Sequence, residues 1–348
     1  MSPRLGRPSA GPGTGGNDVL TVRATRPAEL AACLEIVHGR YAFTDGDEQA
    51  ALAYWNHLLE SRAGLSRVVT TLAAPAEGRI LVFALGVFVT DDFMREVLTT
   101  LPPHLGPQAV RRWRYGKRVH LNLREIAREN AGDGLNLLTV AYGTAPGLPR
   151  DVDLQARAIM AAAGLEMFSG YRIKHVVQEG LGTELHADLL ATGVKVLRSF
   201  PTSPPVVPCR RSGPPTHVYG LSRDGRPEDL GPHWWMFFNP PEPRLGLTEP
   251  EKETLERALE NETDDDMARS LGISIWTVKK RWQNVYSKVE QVAPAVLSAF
   301  GNGDESGGVG AERRRHLLAY VRQHLEEIRP RDLSARGAVQ VSARPPRA

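Results

Sequence analysis

The chain has 348 residues, which at roughly 100 to 200 per domain suggests about two domains plus tails and excludes a lone small binding module. A composition of 41% hydrophobic and 24% charged residues is that of an ordinary globular protein and excludes wholesale disorder. With 43 basic against 40 acidic side chains the formal net charge is +3, so a polyanion partner would have to be met by a local patch.

In chain order, residues 1–17 hold Pro, Gly, Ser and two Arg without an apolar stretch, and are expected to form a disordered arm of a cytoplasmic protein. Residues 18–201 mix short apolar runs with amphipathic stretches, the pattern of an α/β or α+β domain. Residues 20–23 predict a strand, and Pro27 ahead of Leu30, Leu34 and Val37 predicts a helix with Pro in its first turn. The runs 80–89 and 135–142 predict central strands buried on both faces. At ten residues the first of them is about half of the roughly 20 needed to span a bilayer, so no membrane span is expected. Leu154, Ala158, Ile159, Ala162 and Leu165 predict a helical stripe over 151–167, and 194–200 predicts a further strand.

Prolines then crowd residues 202–244, which read as a connector with short strands at 218–221 and 234–238. The cluster Trp234, Trp235, Phe237 and Phe238 is expected to pack against a neighbouring domain. Residues 245–300 form a helical domain, 301–311 a Gly-rich linker, 312–329 an amphipathic helix that packs on its neighbours, and 330–348 a basic tail. The fold class expected is thus an α/β domain followed by an all-α helix-turn-helix domain. Two cysteines, Cys33 and Cys209, are too few for a disulfide framework and lack zinc spacing, so no metal is expected.

The helical domain carries the sharpest pattern. Thr248 and Glu251 make a capping box for a first helix, a second runs over 265–271, Gly272 suits a tight turn, and Ser274 caps a third over 275–288. Residues 247–266 hold nine acidic and two basic side chains, whereas 267–289 hold five basic and no acidic ones. With Leu255, Ala268, Leu271, Ile273, Thr277, Val278, Tyr286 and Val289 in order and spacing, this segment resembles the LuxR-type helix-turn-helix of bacterial transcriptional regulators. Asp264 and Asp265 stand where that family has Asn-Lys.

The resemblance implies a third helix in the DNA major groove, with Ile275, Trp276, Lys280 and Asn284 facing bases, and Ser274, Thr277, Lys279, Arg281 and Lys288 at the backbone or the helix cap. It also implies double-stranded DNA as partner, a homodimer, and an N-terminal domain that senses a small-molecule effector or dimerises.

The N-terminal domain has no P-loop and no receiver-type acidic pair. Its order of strand, helices and strands resembles a GNAT-type acyltransferase, although residues 143–151 hold scattered Gly and Pro where that family has a Gly-rich pyrophosphate loop. The basic run Arg111, Arg112, Trp113, Arg114, Lys117 and Arg118 reads as a solvated face. His175 and His186 read as structural, and Glu179 with Glu184 would pair only if loops joined them. No catalytic set and no cofactor emerges. The sequence therefore points to a non-enzymatic DNA-binding regulator, with an acyltransferase-like enzyme carrying a helical appendage, or a protein interaction module, as alternatives.

Overall fold

Apolar side chains at nearly every position of residues 80–89 leave no face for water, Leu135, Leu137, Leu138, Val140 and Ala141 are buried likewise, and these runs form the middle of a seven-stranded sheet. The computed structural model describes residues 19–38, 43, 46–71, 78–181, 190, 193–201, 215–224, 232–298 and 309–331. The expected arm at 1–17, most of the connector around Cys209, Glu184, His186, most of the linker and the tail beyond Arg331 lie outside them.

The strands are β1 (Leu20–Ala24), β2 (Gly64–Thr71), β3 (Ile80–Val89), β4 (Leu135–Thr144), β5 (Ile173–Leu181), β6 (Lys195–Phe200) and β7 (Thr216–Ser222). They lie in the order β1-β2-β3-β4-β5-β7-β6, and every neighbouring pair is antiparallel except β4 with β5. That parallel pair needs a crossover, supplied by a 19-residue helix between them.

The helices of this domain are α1 (Leu30–His38), α2 (Asp47–Glu60), α3 (Asp91–Thr99), α4 (Leu105–Arg114), α5 (Leu123–Ala131) and the crossover α6 (Arg150–Phe168). Phe83, Leu85, Val87 and Val89 of β3 share one core with α1 to α4. On the other face Val82 and Ala84 meet Ala156 and Met160 of α6, while Phe88 meets Phe168. The buried stripe of α6 is Ala156, Met160, Ala163 and Met167, and Leu154 of the expected stripe is 51% exposed.

Residues 234–238 are helical, not extended: α7 (Pro232–Phe238) presents Trp234, Phe237 and Phe238 to the core around Phe88 and Tyr219. The α/β domain is followed by an all-α one of α8 (Glu249–Leu259), α9 (Asp264–Leu271), α10 (Ile275–Val292), α11 (Pro294–Ser298) and α12 (Val309–Gln323). Gly272 takes φ 64° in the turn between α9 and α10. Met267, Val278, Trp282, Val285 and Val289 share a core with Leu317 and Val321 of α12 and with Leu325 and Ile328 beyond it. Among the described residues no helix is long and apolar enough to cross a membrane.

The two domains touch through charge and backbone. Arg67 pairs with Glu260 at 2.9 Å, and Arg329 donates to the Glu166 and Ser169 carbonyls at 2.8 and 2.7 Å. Gly170, at φ 83°, lies so close to the 325–326 backbone that a Cβ would come within 2.5 Å of the Glu326 nitrogen.

Candidate active site

The parallel pair is where the sheet opens. Only Leu135 to Leu138 of β4 pair with β5, opposite Ile173 to Val177, although β4 continues to Thr144 and β5 to Leu181. Beyond that point β4 stays bonded to β3 and β5 to β7, each on its outer side. Among the described residues no strand pairs with residues 139–144 on the β5 side. A bulge sits where the pairing ends: Leu85 faces Ala141 and Gly86 faces Thr139, leaving Val140 as the extra residue on β4. The result is a slot with strand edges on both sides, offering peptide N–H and C=O groups to an extended guest.

Helix α4 lies against β4, and its first turn is fastened to β5. The backbone N–H groups of His104 and Leu105 donate to the two carboxylate oxygens of Glu179 at 2.6 and 2.9 Å. Glu179 is 6% exposed. Burial pushes its pKa up to about 7 against the pull of those two donors, so it exchanges a proton near neutrality. His104 holds φ 69°, a left-handed conformation a non-glycine residue rarely takes, and so turns the chain sharply into α4.

At the paired end of the same strands lies a different polar group. Asn136 donates to Asp91 at 2.6 Å and meets His175 Nδ1 at 2.9 Å, while Lys174 reaches Asp91 at 2.7 Å and Asp133 at 3.2 Å. Partial burial would raise the Asp91 pKa, but the hydrogen bonds from Lys174 and Asn136 outweigh it and hold the carboxyl below its ordinary value. A cleft of about 230 Å³ opens beside this group, lined by Asp91, Arg118, Arg128 and Asn136 among others.

At the far end, residues 145–149 (Ala-Pro-Gly-Leu-Pro) turn the chain into α6. The Ala145 N–H is bonded to the Leu81 carbonyl, the cap position is Pro149 without a side-chain cap, and Asp151 and Asp153 occupy the first helical turn.

The residues singled out on the helix-turn-helix divide into two sets. Ile275, Trp276, Lys279, Lys280 and Asn284 are exposed on α10, Trp276 by 71%, and Ser274 caps the helix with Thr277 beside it. Arg281 is buried near the Pro250 carbonyl and Thr254, and Lys288 binds Glu251 at 2.6 Å and the Gly246 carbonyl at 2.8 Å. Asp264 accepts from Trp282 Nε1 at 3.2 Å and from Arg314 at 2.7 Å, and Arg314 stacks over Trp282. The carboxylate that departs from the LuxR pattern thus ties α12 to the three-helix core. In the basic run, Arg111 and Arg114 pair with Asp47 and Arg118 with Glu125.

Sequence reasoning reached Glu179 only as one half of a pair with Glu184, and missed its tie to α4. No local pattern announces that tie, because the partners are backbone groups 74 and 75 residues away.

No protein-family model and no curated protein matches this chain. Solved structures do. The C-terminal condensation domain of Ebony in complex with beta-alanyl-dopamine aligns at 14% identity and TM-score 0.39, covering 59% of this chain and 99% of that one. Arabidopsis thaliana NAA60 in complex with a bisubstrate analogue aligns at 9% identity and TM-score 0.37, covering 60% and 100%. Mosquito arylalkylamine N-acetyltransferase-like 5b aligns at 12% identity and TM-score 0.35, covering 59% and 100%.

These matches correct the first expectation. The solved structures the chain is similar to include a condensation domain and acetyltransferases, where the sequence pointed to a LuxR-type transcriptional regulator. The assignments as a transcription regulator and as a non-enzyme fall with it, as does the set of partners built on them: double-stranded DNA, a homodimer and an effector of the N-terminal domain. Within the structure, two residues expected to anchor phosphates, Arg281 and Lys288, are engaged inside the helical domain.

Proposed function

We propose that the α/β domain is an acyltransferase of the GNAT type and that the helical domain is its appendage, in a cytoplasmic protein. The observation that carries this reading is the slot: a single parallel pair in an otherwise antiparallel sheet, opened beyond Leu138 at a bulge. A pantetheine thioester is extended and carries two amides, so it can bond to a strand edge as a short added strand does. Laid along residues 139–144, it would bring its thioester carbonyl toward the bulge, where a peptide N–H released from the ladder can stabilise the developing oxyanion.

Glu179 then accepts the proton of the attacking nucleophile. The nucleophile adds to the carbonyl carbon, the carbon–sulfur bond breaks, the acyl group is transferred, and the sulfur leaves as a thiolate that takes a proton from water while Glu179 returns its own to solvent. A carboxylate poised near pH 7 suits a general base at neutrality.

The reading is tested by thiol release from S-acetyl-pantetheine with a panel of amines as acceptors, in the whole chain. Acceptor-dependent release that falls about 100-fold or more in Glu179→Gln is expected. Absence of thioester binding and turnover in the unmodified protein would refute it.

A further inference from the structure

Helices α3 and α4 follow one another on the same face of the sheet, and their facing ends lack charges of their own. The last turn of α3 holds no basic residue, and the first turn of α4 holds no acidic residue and no side-chain cap. The sheet supplies both charges. Arg198 of β6 donates to the Val97 and Leu101 carbonyls at 2.9 and 2.6 Å, at the negative end of α3. Glu179 of β5 accepts from the His104 and Leu105 N–H groups at the positive end of α4. Between the two grips lie Pro102 and Pro103, whose rings restrict the backbone of the connection.

Register sets the two side chains in one row. Arg198 on β6 and Glu179 on β5 both pair with Val218 of β7, so they share a face of the sheet two strand spacings, roughly 10 Å, apart. A bulge makes this so: Val196 pairs with Tyr219 and Arg198 with Val218, leaving Leu197 as the extra residue of β6. Without that extra residue Arg198 would fall opposite His217, on the other face. As it is, the guanidinium lies over the Phe200 ring at 4.8 Å, beside the core that holds Val97, Leu101 and Leu105.

Resting on the acyltransferase reading, we propose that Arg198 is a positioning residue for Glu179: by fastening the α3–α4 connection to β6 it holds two peptide donors against the carboxylate that takes the nucleophile's proton. It acts through the backbone of residues 97–105. Those donors favour the charged carboxylate, so loosening them raises its pKa. Among the described residues, the charged and titratable neighbours of Glu179 are His104, which donates to it through the backbone, Arg198 in its row, and His175 four residues back on β5. The arginines of α4, Arg111, Arg112 and Arg114, lie at its far end, paired with Asp47 and Glu96, and His217 lies on the other face of β7.

The test is made in the whole protein. The Glu179 carboxyl, expected near pH 7 in the wild type, is followed by carbon NMR titration, and kcat, KM and their pH profiles are read with S-acetyl-pantetheine and an amine acceptor. In Arg198→Gln the Glu179 pKa should rise by about half a unit or more, and the acidic limb of kcat/KM should move up with it. There kcat should fall about 10-fold or more while KM for the thioester stays within about twofold. Arg198→Lys keeps a cation at the end of α3 and should recover most of both. Pro102→Gly, at an exposed position, loosens the same connection and should move the titration in the same direction, which decides the matter if Arg198→Gln does not fold.

A Glu179 titration unchanged in these variants would overturn the proposal, as would a fall in kcat with an unmoved pH profile, the mark of a purely structural loss. If the wild type turns over no thioester while the titration still moves, the acyltransferase reading fails and the hold of Arg198 on Glu179 stands without that chemistry.

Discussion

Two carboxylates at opposite ends of the β4–β5 pair, Asp91 at the start of α3 and Glu179 on β5, show what different partners do. At the paired end Asp91, with 60% of its side chain exposed, has a lysine and an asparagine within hydrogen-bond reach and titrates below its ordinary value. At the open end Glu179 is buried, its hydrogen bonds come from two peptide groups, and it titrates near 7. The first is a charge held for structure; the second is held between charge states. What separates them is their partners: a lysine and an amide side chain at Asp91, and the backbone N–H groups of the first turn of α4 at Glu179.

The strongest way to break this contrast is at Glu179. Glu179→Ala should cost about 2 to 5 kcal/mol in urea unfolding, because two buried N–H donors lose their acceptors. Glu179→Gln keeps one acceptor oxygen and isolates the charge. Since the folded-state pKa is raised, the wild-type protein should lose stability as pH rises from the ordinary carboxylate value of 4.5 through about 7. The Gln variant should lack that decline, and a parallel decline in both proteins would contradict the assignment.

Next in size is Gly86, which faces Thr139 beside the bulge. A methyl group there would run into the Phe168 ring, so Gly86→Ala should cost about 1 to 3 kcal/mol, and thioester KM should rise with the distorted slot.

Smaller effects are expected at the paired end. Lys174→Met removes a partner of Asp91, whose lowered pKa contributes stability that is present above the ordinary carboxylate value and lost as pH falls through the folded-state value. Wild type should therefore lose more stability on acidification than the variant, and equal acid sensitivity would show that the pair contributes nothing. The smallest change belongs to Trp276→Ala: with 71% of the residue exposed, unfolding should shift by no more than about 0.5 kcal/mol.

Much of the frame could be read from the residues. Ile80–Val89 is a strand because its residues are apolar throughout, Leu135–Thr144 because Leu135, Leu137, Leu138, Val140 and Ala141 are, and Thr248, Gly272 and Ser274 punctuate the helical domain through their side-chain caps and one left-handed turn. Strand β2 escaped because Gly64 to Arg67 give its start no clean alternation, and its pairing to β1 and β3 is tertiary. The stretch at 234–238 misled because aromatic residues favour strands, whereas α7 is held by burial of three rings. The slot is least legible of all, since it consists of hydrogen bonds that two distant strands do not make. The helix-turn-helix pattern describes the local packing of α9 and α10 well and misdirected the functional reading, because its basic residues serve both solvent and interior.

The segment after α12 has a temporal consequence. Gly170, the Ser169 carbonyl and Tyr171 are met by residues 325–329, with Arg329 over the Tyr171 ring. A chain emerging from the ribosome presents the whole sheet well before it presents Arg329. For that interval the end of α6 is uncovered, and a newly made sheet has an unfinished side that only a later part of the same molecule closes.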